Sequence, residues 1–159
     1  NPMSLFRISI ALAATVLISC KGPGKDSQAD PSQATGLELT APFAYPFKSG
    51  EPVGVTYLNI TNHGPEDDRL VSAHTAVATR VETHETVEED GVVRMLHRQD
   101  GFALPAGATL TMEPGGHHLM LMDLKADLVE GHPYELTLEF EKAGTMAVQV
   151  PVGLDIDQR

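Results

Sequence analysis

From Tyr134 to Glu141 the chain reads YELTLEFE, with apolar side chains at every second position and polar ones between. A period of two marks a strand buried on one face, because successive side chains of an extended chain point to opposite sides, whereas a helix would scatter the stripe around its circumference. Other short segments rich in β-branched, aromatic or alternating apolar residues lie at 53–61, 69–74, 76–84, 92–97, 109–112, 118–122 and 145–152. Turn signals separate them at Asn62 to Pro65, Glu89 to Gly91, Pro105 to Gly107, Pro114 to Gly116 and Lys142 to Gly144. No long helical period and no internal repeat is present. Short strands at near-regular spacing predict an all-β sandwich or barrel.

The amino-terminal region follows a different logic. Arg7 precedes an apolar run over 8–19; a membrane-spanning helix needs about 20 residues, so the run is too short to cross and fits a secretory signal. It ends Leu17-Ile18-Ser19-Cys20, which resembles a bacterial lipobox and marks Cys20 for lipidation after removal of residues 1–19. The stretch KGPGKDSQADPSQATG from Lys21 to Gly36 carries almost no large apolar side chains and reads as a flexible tether. The expected plan is therefore a signal over 1–19, a tether over 20–36 and a folded domain over 37–155. Such a protein works outside the cytoplasm and touches the membrane only through its lipid. Lys21 stands where an aspartate would favour inner-membrane retention, so the expected location is the outer membrane of a Gram-negative host.

Composition narrows the function. The 159 residues are 42% hydrophobic and 21% charged, enough for one packed domain and too apolar for a disordered chain. The 11 Lys and Arg against 22 Asp and Glu give a formal charge of -11, and loss of Arg7 with the signal leaves -12. Without a basic run, that charge repels phosphate backbones and argues against nucleic-acid binding. A single cysteine allows no internal disulfide, CxxC pair or thiolate zinc cage. With Cys20 assigned to the anchor, a blue-copper centre has no thiolate ligand. Neither GxSxG nor HExxH occurs, so a hydrolase is poorly supported and no enzymatic activity is expected.

Four residues suggest chemistry: His84 and Met95 in HETVEEDGVVRM, and His118 and Met120 in PGGHHLMLM. Imidazole nitrogen and thioether sulfur are uncharged, soft donors; two of each suit Cu(I), whereas calcium or magnesium would want carboxylates and structural zinc usually wants thiolates. His118 and Met120, two apart on a strand, share a face. Asp90-Gly91 is a hairpin signal that folds the strand bearing Met95 back beside the one bearing His84, with the register left open. Taken one at a time, these methionines fit core packing and these histidines fit surface or core positions just as well. Residue types and spacing alone leave a copper site and a metal-free β-sandwich lipoprotein acting as an interaction module both standing. The acidic run of Glu85, Glu88, Glu89 and Asp90 is read as a solvated loop, and His63, His74, His97 and His132 as surface or structural positions.

From about Leu37 to Gly153 the chain resembles the bacterial periplasmic copper chaperones of the PCu(A)C type. The resemblance rests on YLNITN at 57–62, DDRLVSA at 67–73, His84 with Met95 eleven residues on, PAGA at 105–108 and PGGHHLMLMDL at 114–124. It implies a cupredoxin-like Greek-key β-barrel or sandwich, Cu(I) as cargo, and His84, Met95, His118 and Met120 as its ligands. It also implies a monomer that delivers copper toward the Cu(A) centre of cytochrome c oxidase, through a copper-accepting or thiol-bearing oxidase-assembly protein. Two departures stand out. His117 replaces an aromatic residue usual in the family, with strand alternation pointing it away from His118, and the ending GLDIDQR lacks the His- and Met-rich tail some relatives carry.

Overall fold

The computed structural model describes residues 36–50 and 53–154; the signal, Cys20, the tether as far as residue 35 and the expected domain end at 155 lie outside the described residues. Ten strands follow in order, with no helix among the described residues: β1 (Leu37–Ala44), β2 (Val53–Asn62), β3 (Asp68–His74), β4 (Ala78–Glu89), β5 (Val92–His97), β6 (Phe102–Leu104), β7 (Thr109–Thr111), β8 (His117–Leu124), β9 (Tyr134–Phe140) and β10 (Gly144–Val150). They form two antiparallel sheets. One runs β1-β2-β8-β4-β5 with β7 also paired to β2, and the other runs β10-β9-β3-β6. The all-β expectation is what the chain adopts.

The alternation that predicted β9 sets its burial: Leu136 and Leu138 are fully enclosed, while Glu135 is exposed. From the opposite sheet Leu58, Ile60, Leu119 and Leu121 are likewise enclosed, so the core lies between the sheets. Each such leucine contributes roughly 1.5–3 kcal/mol by leaving water. Every second residue of β2, β4 and β8 therefore faces outward. A polar pair inside the core, Thr56 Oγ1 and Tyr134 Oη, lies 2.5 Å apart. Burial pushes the Tyr134 phenol well above its ordinary pKa, so it stays protonated.

The main differences from the sequence expectation are two strands it did not mark and one that runs past its expected end, the other limits shifting by one or two residues. β1 was not marked by its pattern, because a register shift between Thr40 and Phe43, with Ala41 at φ 48°, interrupts the alternation. β6, only three residues long, is too short to show a period. β4 starts at Ala78 and continues past His84 to Glu89, forming with β5 a hairpin that stays exposed at its tip. Its turn is Asp90-Gly91, with φ 54° and 74°, the left-handed pair a two-residue hairpin requires. Gly101, at φ 71°, is fixed by crowding, since a Cβ there would lie 1.8 Å from the Leu70 carbonyl oxygen.

Candidate metal centre

Strand pairing across β8, β4 and β5 decides which side chains meet. His84 on β4 lies directly opposite His118 on β8 and directly opposite His97 on β5. Residues paired in this way share a face, with Cβ atoms about 5 Å apart. The His84 and His118 ring centroids are 5.8 Å apart, and His84 stacks on His97 at 5.0 Å with the planes 6° apart. Met120 is paired with Glu82 and Met95 with Thr86. The two methionines therefore flank the histidine row on the same face, one step away in opposite directions along β4. Met120 is half-buried beside Val55 of β2, whereas Met95 is 54% exposed near the hairpin tip.

Each central imidazole has one nitrogen committed. Glu82 Oε2 lies 3.0 Å from His84 Nε2, and Arg80 Nε donates to Glu82 Oε1 at 2.7 Å. The hydrogen bond from Arg80, then that from His84, hold the Glu82 carboxyl below its usual range. Ionised Glu82 can only accept, so His84 Nε2 carries the proton and Nδ1 keeps its lone pair. Across the strand, His118 Nδ1 donates to the Gly116 carbonyl at 3.0 Å, leaving Nε2 as the free acceptor. Burial pushes the His118 pKa down, which keeps that ring neutral.

His84 Nδ1 and His118 Nε2 are both buried without a hydrogen-bond partner. A buried acceptor left unpaired costs about 1–3 kcal/mol, so two on facing rings mark a place prepared for a ligand. The donor set fits Cu(I): two neutral imidazoles held by outer partners, with thioethers on either side.

Of the four residues nominated from sequence, the structure brings His84 and His118 into one row and places Met95 and Met120 at opposite corners of the same patch. His117 faces the other side, edge-on to Phe102 at 4.8 Å and 3.6 Å from Glu85 Oε1. Glu85 also accepts from Arg98 Nε at 2.7 Å, while Glu88, Glu89 and Asp90 stand exposed at the hairpin tip. Sequence reasoning missed the two residues that orient His84, Arg80 and Glu82, and a neighbour outside that set, His97, whose ring stacks on His84. His97 lies two residues beyond Met95, the same parity that paired His118 with Met120, and so was within reach.

A protein family described as "Putative lipoprotein LpqE-like" matches residues 37–152. "Putative lipoprotein Lxx21020" of Leifsonia xyli subsp. xyli is 35% identical over 134 residues, covering 84% of this chain and 75% of that protein. Among solved structures, "Copper-bound PCuAC domain from PmoF2" superposes with a TM-score of 0.64 at 27% identity, covering 76% of this chain and 94% of the other. "Solution structure of CuI-DR1885 from Deinococcus Radiodurans" gives a TM-score of 0.57 at 27% identity, covering 82% and 89%. The two-sheet sandwich is thus the cupredoxin-like fold of PCuAC domains.

Proposed function

The chain belongs to the LpqE-like family, and from that premise we propose that it is an extracytoplasmic Cu(I) carrier. His84 Nδ1, His118 Nε2 and the sulfurs of Met120 and Met95 are its ligands. The observation that carries this reading is the pair of buried, unpartnered imidazole nitrogens on facing rings. The copper-bound PCuAC domain and the Cu(I) form of the Deinococcus protein, both of this fold, support the cargo.

The chemistry suits a carrier. Four uncharged donors leave the positive charge of the ion uncompensated, which favours the monovalent state and keeps the ion transferable. The partly exposed Met95 gives an acceptor protein a first point of attack, while the buried histidines hold the ion from behind. Thioether and imidazole also avoid the oxidation that free thiols suffer outside the cytoplasm. Delivery toward the Cu(A) centre of cytochrome c oxidase, through a copper-accepting or thiol-bearing assembly protein, belongs to this proposal. So does attachment by lipidated Cys20, with Lys21 as the basis for the outer membrane where the host has one. The lipoprotein name of the Leifsonia relative supports that attachment.

X-ray absorption of the Cu(I)-loaded chain tests the donor set: a mixed shell of nitrogen and sulfur, lost in His118→Ala and reduced in sulfur in Met120→Ala, is the expected result. Failure to take up Cu(I) stoichiometrically under reducing conditions sinks the carrier and leaves a metal-free envelope module.

A further inference from the structure

His84 has two nitrogens, and the second faces a different set of donors. Its Nε2 faces Glu82 Oε2 at 3.0 Å, and the ring of His97 stacks on its face with centroids 5.0 Å apart. Ligand atoms from Glu82, His84 and His97 all lie within 4.8 Å of one another. Two cis ligands of one ion, each at about 2.1 Å, stand roughly 3 Å apart, so the Glu82–His84 separation already matches two corners of a coordination sphere. Burial adds to this: Glu82 and His84 side chains are only 18% and 12% exposed, whereas His97 is open to solvent, which leaves room for water to complete the sphere.

We propose that this outer face holds a second, overlapping metal site, in which Glu82, His84 Nε2 and His97 take a divalent ion of borderline softness, Cu(II) ahead of Zn(II). Two imidazoles and a carboxylate are donors of that class, and the ordering follows the general affinity series for divalent metals. The methionines, at opposite corners of the patch, contribute nothing to it.

Sharing His84 makes the two sites exclusive. A neutral imidazole offers one lone pair. While Nε2–H donates to Glu82, the lone pair lies on Nδ1 and serves Cu(I). When a divalent ion occupies Nε2, the ring proton moves through solvent to Nδ1, and the Cu(I) site loses a donor. The face therefore holds one copper at a time, in a nitrogen–sulfur set when monovalent or a nitrogen–oxygen set when divalent. The divalent site stands on its own geometry; only the exclusion rests on the carrier reading above.

The test uses the full chain and two ions. Cu(II) affinity is measured without reductant by calorimetry, with electron paramagnetic resonance reporting the ligands, and Cu(I) affinity anaerobically against a chromophoric chelator. His97→Gln is expected to weaken Cu(II) at least about tenfold while shifting Cu(I) by no more than about twofold, and Met120→Leu to do the converse. Protein preloaded with Cu(I) is expected to take up no Cu(II). An unchanged Cu(II) affinity and spectrum in His97→Gln, or simultaneous binding of both ions to one chain, overturns the proposal. Cu(II) binding that depends on His97 in a chain unable to hold Cu(I) sustains the divalent site and removes the carrier instead.

Discussion

The two faces of β8 treat buried polar atoms in opposite ways. Toward the core, Leu119 and Leu121 pack without polar atoms, and nearby Thr56 and Tyr134 satisfy each other. Asn62, also buried, donates to the Glu66 and Leu104 carbonyls and accepts from the Gly64 amide. On the outer face His84 and His118 each keep a nitrogen buried and unpaired. Asn59 Oδ1, similarly unpaired, lies on that outer side of β2 as well. One side of the sheet satisfies its buried polar atoms, and the other leaves three of them unpaired on the face to which the proposed ion site is assigned.

The largest effect expected from this contrast is on the inner side. Leu121→Ala opens a cavity between the sheets and should cost about 2–5 kcal/mol in denaturant melts of the apo protein. Cu(I) affinity, measured under conditions where the variant is folded, should stay nearly unchanged. A comparable loss of copper binding would show that the two faces are not separable. Tyr134→Phe comes next: it strands the Thr56 hydroxyl in the core and should cost about 1–3 kcal/mol, again without effect on copper. No destabilisation there would mean that the core does not depend on polar satisfaction, and the contrast would lose its inner half.

How far this contrast could be read from the chain depends on which signal encodes it. Alternation marks β9 and β8 because one face of each is apolar, and the same parity puts His118 and Met120 together. The end of β4 is invisible to that signal, since Thr86 and Val87 are both only half-buried, Glu88 and Glu89 are exposed, and the strand state comes from pairing with β5. Register was open from alternation alone, yet the turn contains it. A two-residue Asp90-Gly91 turn pairs Glu89 with Val92, and counting back sets His97 opposite His84 and Met95 opposite Thr86. Glu82 and Arg80 had no such signal. Their role follows from the orientation of His84 Nε2, which depends on side-chain geometry rather than spacing.

Glu82→Gln probes the outer face more gently. The amide keeps the size of the side chain but can present its NH2 to His84 Nε2, which then accepts and places the proton on Nδ1, the wrong nitrogen for Cu(I). A weakening of Cu(I) binding by about 10–100-fold is expected, as for other residues that orient metal-bound histidines, with little change in apo stability. Unaltered Cu(I) affinity would mean that Glu82 does not set the tautomer, and the incomplete nitrogen on His84 would need another explanation.

The smallest expected effect is a pH dependence confined to the outer face. Burial holds the folded pKa of His118 below the 6.5 of an exposed imidazole. Between that lowered value and 6.5 the unfolded chain takes up a proton that the folded chain refuses, so stability contributed by His118 is complete above 6.5 and is lost as pH falls below it. Glu82 acts in the same direction but only below its ordinary value of 4.5. Urea melts of apo protein at about pH 7.5 and about pH 5.5 therefore isolate the histidine: the parent chain should lose more stability between them than His118→Gln does. Under the proposed ligation, proton competition at His118 Nε2 is likewise displaced below 6.5, and the His118 share of Cu(I) affinity, read as the difference between the parent chain and His118→Gln, should hold down to lower pH than a free imidazole would allow. Equal losses in parent and variant would place the His118 ring in water-like surroundings and deny the site the dry, unpaired nitrogen on which its difference from the core rests.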